Sequence, residues 1–123
     1  MPQPLVWDLA SKVKPYLKDG DRLALLLPGD NGSLDDMLSG VLIDVSPRRR
    51  LTLLHRQTGD AAALAEAADR GYPLALISCT SEGSAALLEH GADGWRPLAA
   101  WPYPAEARLQ RWQRILAWPP LCR

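Results

Sequence analysis

The segment LALLLPGDNGSLDDML, residues 23–38, decides how this chain is organised. Its first five residues form an unbroken apolar run, which is typical of a strand buried on both faces. The polar turn PGDNGS (28–33) follows. Ser33 then has the character of a helix N-cap, with Asp35 and Asp36 in the first turn. A buried strand, a glycine-containing turn and a helix N-terminus in this order predict the first βα unit of an α/β protein.

The same pattern recurs further along the chain. Short apolar runs between turn residues predict three more strands, at 51–55, 73–78 and 95–100. Alanine-rich or alanine- and leucine-rich segments predict helices at 60–70 and 84–90, closed by Gly71 and Gly91. The order of elements is therefore strand, turn and helix, repeated three or four times.

Three further segments carry a helical pattern. Residues 5–18 place Leu or Val at every fourth position, although Pro15 interrupts the end of this segment. Residues 34–45 fit either one helix or a short helix followed by a strand at 41–45, and the helix is slightly favoured. A C-terminal amphipathic helix is predicted at about 105–117.

These elements predict one α/β domain over residues 1–123, with a core at about 20–100. The expected fold is a three-layer sandwich with a mostly parallel sheet of four or five strands. Right-handed crossovers place the βα turns along one edge of such a sheet. Ligands of open α/β sheets bind at the carboxyl ends of the strands. We therefore expect any binding site at that edge.

The composition narrows the range of partners. Lys and Arg number 14, Asp and Glu number 14, and the formal net charge is +0, so no overall charge attracts nucleic acid or anionic lipid. The sequence has no stretch of about 18 apolar residues and no signal-peptide pattern at its start. Its two cysteines, Cys79 and Cys122, make no disulfide framework. We expect a cytoplasmic protein without nucleic-acid or membrane partners.

Three turns carry the candidate ligand-binding residues: PGDNGS (28–33), RQTGD (56–60) and CTSEGS (79–84). Each precedes a predicted helix, whose first N–H groups have no intrahelical acceptor and favour a phosphate or carboxylate. The candidate residues are Gly29, Asn31, Gly32, Ser33, Gln57, Thr58, Gly59, Thr80, Ser81 and Ser84. In the alternative interpretation, the same residues only cap the helices.

Several motifs of enzymes and metal proteins are missing from the sequence. It has no Gly-x-x-x-x-Gly-Lys-Ser/Thr segment, no Gly-x-Gly-x-x-Gly segment and no Cys-x-x-Cys pair. His55 ends a predicted strand and His90 ends a predicted helix, and the two are far apart in the sequence. We assign no catalytic residue, metal or cofactor, and a non-enzymatic role is favoured.

The turns resemble those of SIS (sugar isomerase) domains. GDNGS (29–33) resembles the first phosphosugar loop of that family, and residues 53–93 resemble its second half in the order and spacing of strand, turn and helix. The likeness covers about residues 20–100 and extends to small SIS-like proteins of Gram-positive bacteria. It implies a flavodoxin-like fold, phosphosugar binding with Ser33 and Thr58 near the phosphate, and a homodimer.

The chain also departs from the SIS pattern. The segment between the first loop and the turn at 56–60 is shorter than in the family. Glu82 and His55 are the nearest candidates for the glutamate and histidine that SIS isomerases use for proton transfer, and neither lies in a matching motif. We therefore expect an abbreviated, degenerate member that binds a phosphorylated sugar or similar anion.

The alternative function is that of a structural or interaction protein. Four of the five tryptophans fall near the C-terminus, namely Trp95, Trp101, Trp112 and Trp118. Exposed together, these rings would form a dimer or partner surface.

Overall fold

The computed structural model describes residues 3–28, 32–79 and 84–101. Three α-helices and five β-strands follow one another as α1 (Gln3–Val13), β1 (Asp21–Leu26), α2 (Gly32–Val45), β2 (Leu51–Arg56), α3 (Ala61–Asp69), β3 (Leu74–Cys79), β4 (Ser84–Gly91) and β5 (Gly94–Trp101). Short 3-10 helices lie at Lys14–Tyr16 and Pro47–Arg49. The predicted C-terminal helix at 105–117 lies outside the described residues.

The five strands form one mixed sheet in the order β2-β1-β3-β4-β5. β1 pairs in parallel with β2 and β3, whereas β4 pairs antiparallel with β3 and β5. The prediction of an α/β fold is confirmed. The prediction of a mostly parallel sheet is not, because half of the four pairings are antiparallel.

The predicted helix at 84–90 is wrong. These residues form a strand, and the antiparallel pairings of that strand make the sheet mixed. Residues 84–91 form β4, which folds back on β3 with Cys79 opposite Ser84 and Leu74 opposite Glu89. The residues from Ala85 to Leu88 are all buried, since β4 lies between two other strands and both of its faces are covered. A short apolar run of this kind has no periodicity that separates a strand from a helix, and alanine and leucine bias it toward helix.

The predicted helices at 5–18, 34–45 and 60–70 are confirmed, with different bounds. α2 continues through 41–45 as one helix. Leu38 and Leu42 are fully buried on its inner side, as expected for an apolar stripe along one helix. Of the two alternatives for residues 34–45, the single helix is therefore confirmed. Pro15 lies in the 3-10 turn that follows α1, where the proline interrupts no α-helical hydrogen bond.

The sheet separates two apolar cores. Alternate residues of β1 point to opposite faces, so Leu23 and Leu25 pack with α1 and α2, whereas Ala24 and Leu26 pack with α3. All four residues are completely buried. Full burial of a leucine side chain contributes about 1.5–3 kcal/mol. The apolar run at 23–27 is unbroken because helices cover both faces of this part of the sheet.

Two of the C-terminal tryptophans are part of this packing. Trp101 is 7% exposed and belongs to the core beneath α1 and α2. Trp95 packs on the opposite core, and its indole Nε1 donates a hydrogen bond to the Leu64 carbonyl oxygen of α3 at 3.0 Å. The two rings pack on opposite faces of the sheet, so they do not form one exposed partner surface. Within the described residues, no helix combines the length and the apolar character needed to cross a membrane.

Candidate functional site

Four strands end at one edge of the sheet. β1, β2 and β3 are parallel, and the two antiparallel pairings that follow turn β5 back into the same direction. The carboxyl-terminal residues of these strands are Leu26, Arg56, Cys79 and Trp101. We call this side of the sheet the carboxyl edge. The predicted turns at 28–33, 56–60 and 79–84 begin at or just after the ends of β1, β2 and β3, so the described residues that open each turn lie at this edge.

The order of the strands creates a topological switch point at this edge. The chain passes from β1 to β2 through α2, and then from β2 across β1 to β3 through α3. Because these connections leave in opposite directions, right-handed crossovers place α2 and α3 on opposite faces, as the two cores show. The carboxyl ends of β1 and β3 therefore flank a topological switch point, which is where open α/β sheets bind ligands.

The ten predicted site residues lie in different surroundings. Gln57 and Thr58 follow β2 and are exposed, and Gly59 is buried. Gly32 and Ser33 lie in the first turn of α2, and Ser84 is the first residue of β4. Gly29, Asn31, Thr80 and Ser81 lie outside the described residues. The described residues that open the three turns thus lie at one edge, and only the first two turns are followed by a helix.

The turn at 79–84 does not supply a helix N-terminus. Ser84 begins a strand and lies opposite Cys79 in the antiparallel pairing. The predicted role of this turn as a dipole-assisted anion site is therefore wrong. Its described ends, Cys79 and Ser84, lie at the carboxyl edge.

Gly59 joins the turn after β2 to the neighbouring strands. A Cβ atom built on Gly59 would lie 2.9 Å from Cγ2 of Ile77 in β3 and 3.6 Å from Cγ of Pro28 after β1. Glycine is therefore needed here for close packing. Gly59 was predicted from the sequence as a ligand-binding residue. Its close packing against Ile77 explains the need for glycine at this position without a ligand.

Asp60 caps α3 with its own side chain. Its carboxylate accepts a hydrogen bond from the Ala63 amide at 2.9 Å, and its carbonyl oxygen accepts one from Leu64 at 3.2 Å. The amides of Ala61 and Ala62 occupy the first two helical positions, which have no acceptor within the helix. Helix capping is thus confirmed at this turn, and an incoming anion would meet two amides beside one carboxylate.

Arg56 is the first residue of the turn at 56–60 and the only Lys or Arg in that turn. Its side chain is already paired with an acidic residue. Its Nε and Nη2 donate to the two carboxylate oxygens of Glu66 at 2.8 and 2.7 Å, and its Nη1 donates to the His55 carbonyl oxygen at 2.8 Å. The hydrogen bond from Arg56 lowers the pKa of Glu66, and the same bond raises the pKa of Arg56. This bidentate pair fixes α3 to β2.

Two polar residues lie on the α2 side of the same edge. Asp35 in the first turn of α2 is only 2% exposed, on the inner stripe that contains Leu38 and Leu42. His55 lies near the end of β2, and its Nε2 atom is buried without a hydrogen-bond partner among the described residues. The sequence assigned Asp35 only to the helix dipole. Asp35 precedes Leu38 by three residues and Leu42 by seven, and this helical spacing could have predicted that Asp35 faces inward.

The described residues contain no group of three or more His, Cys, Asp or Glu side chains arranged to hold a metal ion.

A scan against protein-family models finds no match to this chain, and searches of curated proteins and of solved structures find none either. The resemblance to SIS domains therefore rests on the sequence alone, and at 84–91 the structure has strand β4 where the resemblance implied a helix.

Proposed function

We propose that this protein binds a phosphorylated sugar or a similar small anion at the carboxyl edge of its sheet. The observation that carries the proposal is the strand order β2-β1-β3, with β1 as the switch strand and helices leaving on opposite faces. Open α/β sheets bind ligands at a switch point of this kind. The resemblance to SIS domains supports a phosphosugar as the ligand.

Backbone amides and hydroxyl groups suit the chemistry of such a ligand. The amides at the start of α3 point out of the helix, and the exposed side chain of Thr58 precedes them by three residues. A helix N-terminus attracts an anion through its free donors and its dipole together. The carboxylate of Asp60 opposes this attraction, so we expect modest affinity, with the hydroxyl groups of the sugar contributing to selectivity.

The described residues support binding rather than catalysis. A general base must reach the ligand and be oriented by a partner. Asp60 is engaged in the cap of α3, and Arg56 is engaged by Glu66. The Nε2 atom of His55 is buried. We therefore propose a binding module without a proton-transfer group at this edge.

The test is a thermal-shift titration with glucose 6-phosphate, ribose 5-phosphate, inorganic phosphate and sulfate at constant ionic strength. A ligand at 100 times its dissociation constant stabilises the folded state by about 2.7 kcal/mol. Thr58→Asp adds a charge that repels an anion, and Thr58→Asn is the neutral control of similar size. We expect a dose-dependent shift with a sugar phosphate in the native protein and in Thr58→Asn, and a much smaller shift in Thr58→Asp.

Two results would contradict the proposal. The absence of any dose-dependent shift would show that the turns act only as caps. An equal shift from sulfate and from the sugar phosphates would show that the edge has no preference for a sugar. The homodimer implied by the SIS resemblance is tested separately, by light scattering coupled to size-exclusion chromatography.

A further inference from the structure

A groove runs along α3 on the side away from α1 and α2. Its volume is about 320 Å³. One wall is a flank of α3, and the other wall comes from the end of β4 and the start of β5. The lining residues are Ala61, Leu64, Ala65, Ala68, Asp69, His90 and Trp95. Most of this lining is apolar, and the volume lies at the lower end of the range for small-molecule sites.

The aromatic wall of the groove is fixed before any ligand arrives. The Trp95 indole is tied to α3 by its hydrogen bond to the Leu64 carbonyl oxygen at 3.0 Å. The imidazole of His90, which lies opposite Trp95 in the β4–β5 pairing, contacts the indole at a centroid distance of 5.0 Å and an angle of 59°. A ring that is already ordered loses little conformational entropy on binding.

The charge at one end of the groove is negative. Asp69 is the last residue of α3 and is exposed. Within the described residues, its carboxylate forms no ion pair. The carboxyl end of a helix also carries partial negative charge. The neighbouring Arg70 is paired with Glu66 at 3.2 Å, so Asp69 and the helix end act on the groove together.

We propose that this groove binds a small organic ammonium ion with an apolar body. The apolar part packs on Leu64, Ala65 and Ala68, and the ammonium group lies between the Asp69 carboxylate and the Trp95 indole. The face of an indole ring attracts a cation, and the carboxylate adds direct charge complementarity. An anion would be repelled by Asp69 and by the helix end. The preference is thus opposite in charge to that of the carboxyl edge, and it does not depend on the function proposed there.

The test is a titration of the full chain with 2-phenylethylammonium, followed by NMR of the Trp95 indole N–H signal. 2-Phenylethanol and phenylacetate serve as the neutral and anionic analogues of the same body. Asp69→Asn removes the charge in the groove. Asp8→Asn is the matched control, because Asp8 lies on α1 at the opposite face of the sheet. Trp95→Phe identifies the indole signal.

We expect a saturable shift of the Trp95 signal with the ammonium compound and weaker binding of the alcohol. Asp69→Asn should weaken the ammonium complex by roughly tenfold, and Asp8→Asn should leave it unchanged. The proposal is overturned if no saturable shift occurs, if the alcohol binds as tightly as the ammonium ion, or if Asp69→Asn has no effect.

Discussion

Replacing Gly59 with alanine should destabilise the protein, because the turn after β2 packs directly against β3. The added Cβ would lie 2.9 Å from Cγ2 of Ile77. Carbon atoms in contact prefer a separation of about 3.5–4.0 Å, so the turn or the Ile77 side chain must move by about 0.6 Å or more. Ile77 is fully buried in the core beneath α3, which leaves it little room to move.

The expected magnitude is the difference between two opposing effects. Adding a methyl group to a packed site costs about 1–3 kcal/mol. Alanine also restricts the unfolded chain, which favours folding by about 0.4–1 kcal/mol. The net loss for Gly59→Ala should therefore lie between about 0 and 2.6 kcal/mol, with a central value of about 1.3 kcal/mol.

Gly40 provides a matched control for the same substitution. It lies inside α2 and is exposed, and a Cβ atom added to it would meet nothing within 4 Å. Gly40→Ala should stabilise the protein by about 0.5–1 kcal/mol, because alanine is the better helix former. The two alanine substitutions should thus have opposite signs.

Urea denaturation at 25 °C measures both changes by linear extrapolation. A double-mutant cycle with Ile77→Leu, which removes the branched methyl group, should recover part of the loss at Gly59. If Gly59→Ala is as stabilising as Gly40→Ala, the turn does not pack on Ile77, and the positioning of this part of the carboxyl edge is refuted.

Substitutions at three further positions test other contacts. Asp60→Ala should cost about 0.5–2 kcal/mol by removing the cap of α3, and Asp60→Asn should retain most of the stability because asparagine caps equally well; equal losses in urea denaturation would exclude a capping role. Trp95→Phe should cost about 0.5–1.5 kcal/mol through the lost hydrogen bond to Leu64, a loss that calorimetry would register as a lower Tm. Arg56 holds the pKa of Glu66 below its ordinary value of 4.5, so this pair stabilises the folded state at higher pH and loses that effect as pH falls through the lowered pKa. Glu66→Gln should therefore be less stable than the native protein at neutral pH, and the gap should close in acid; a gap that is the same across the pH series would contradict the assigned pairing.

The local sequence was sufficient to predict the elements whose own residues supply the apolar pattern, the cap and the terminating residue. The continuous apolar run at 23–27 indicated a strand covered on both faces, and β1 is such a strand. In α3, alanine-rich composition, the Asp60 cap and the left-handed Gly71 at its end agree with one another. Consistency among propensity, capping and termination is what made these elements predictable.

Local sequence failed where a distant partner decides the structure. Residues 84–91 become a strand because β3 and β5 pair with both of their sides, and tertiary pairing overrides helix propensity. The ion pair between Arg56 and Glu66 joins residues ten positions apart. Predicting it requires knowing how α3 packs on β2. Both features depend on contacts that no local pattern encodes.

The most direct test of anion binding at the carboxyl edge is an NMR titration of ¹⁵N-labelled protein with glucose 6-phosphate. We predict saturable shifts in the amides around the switch point, chiefly Thr58 to Ala62 and the carboxyl ends of β1 and β3, with the amino ends of the strands unchanged. Shifts that do not saturate, or that spread over the exposed arginines at 48–50 and leave the amides around the switch point unchanged, would contradict a site at this edge.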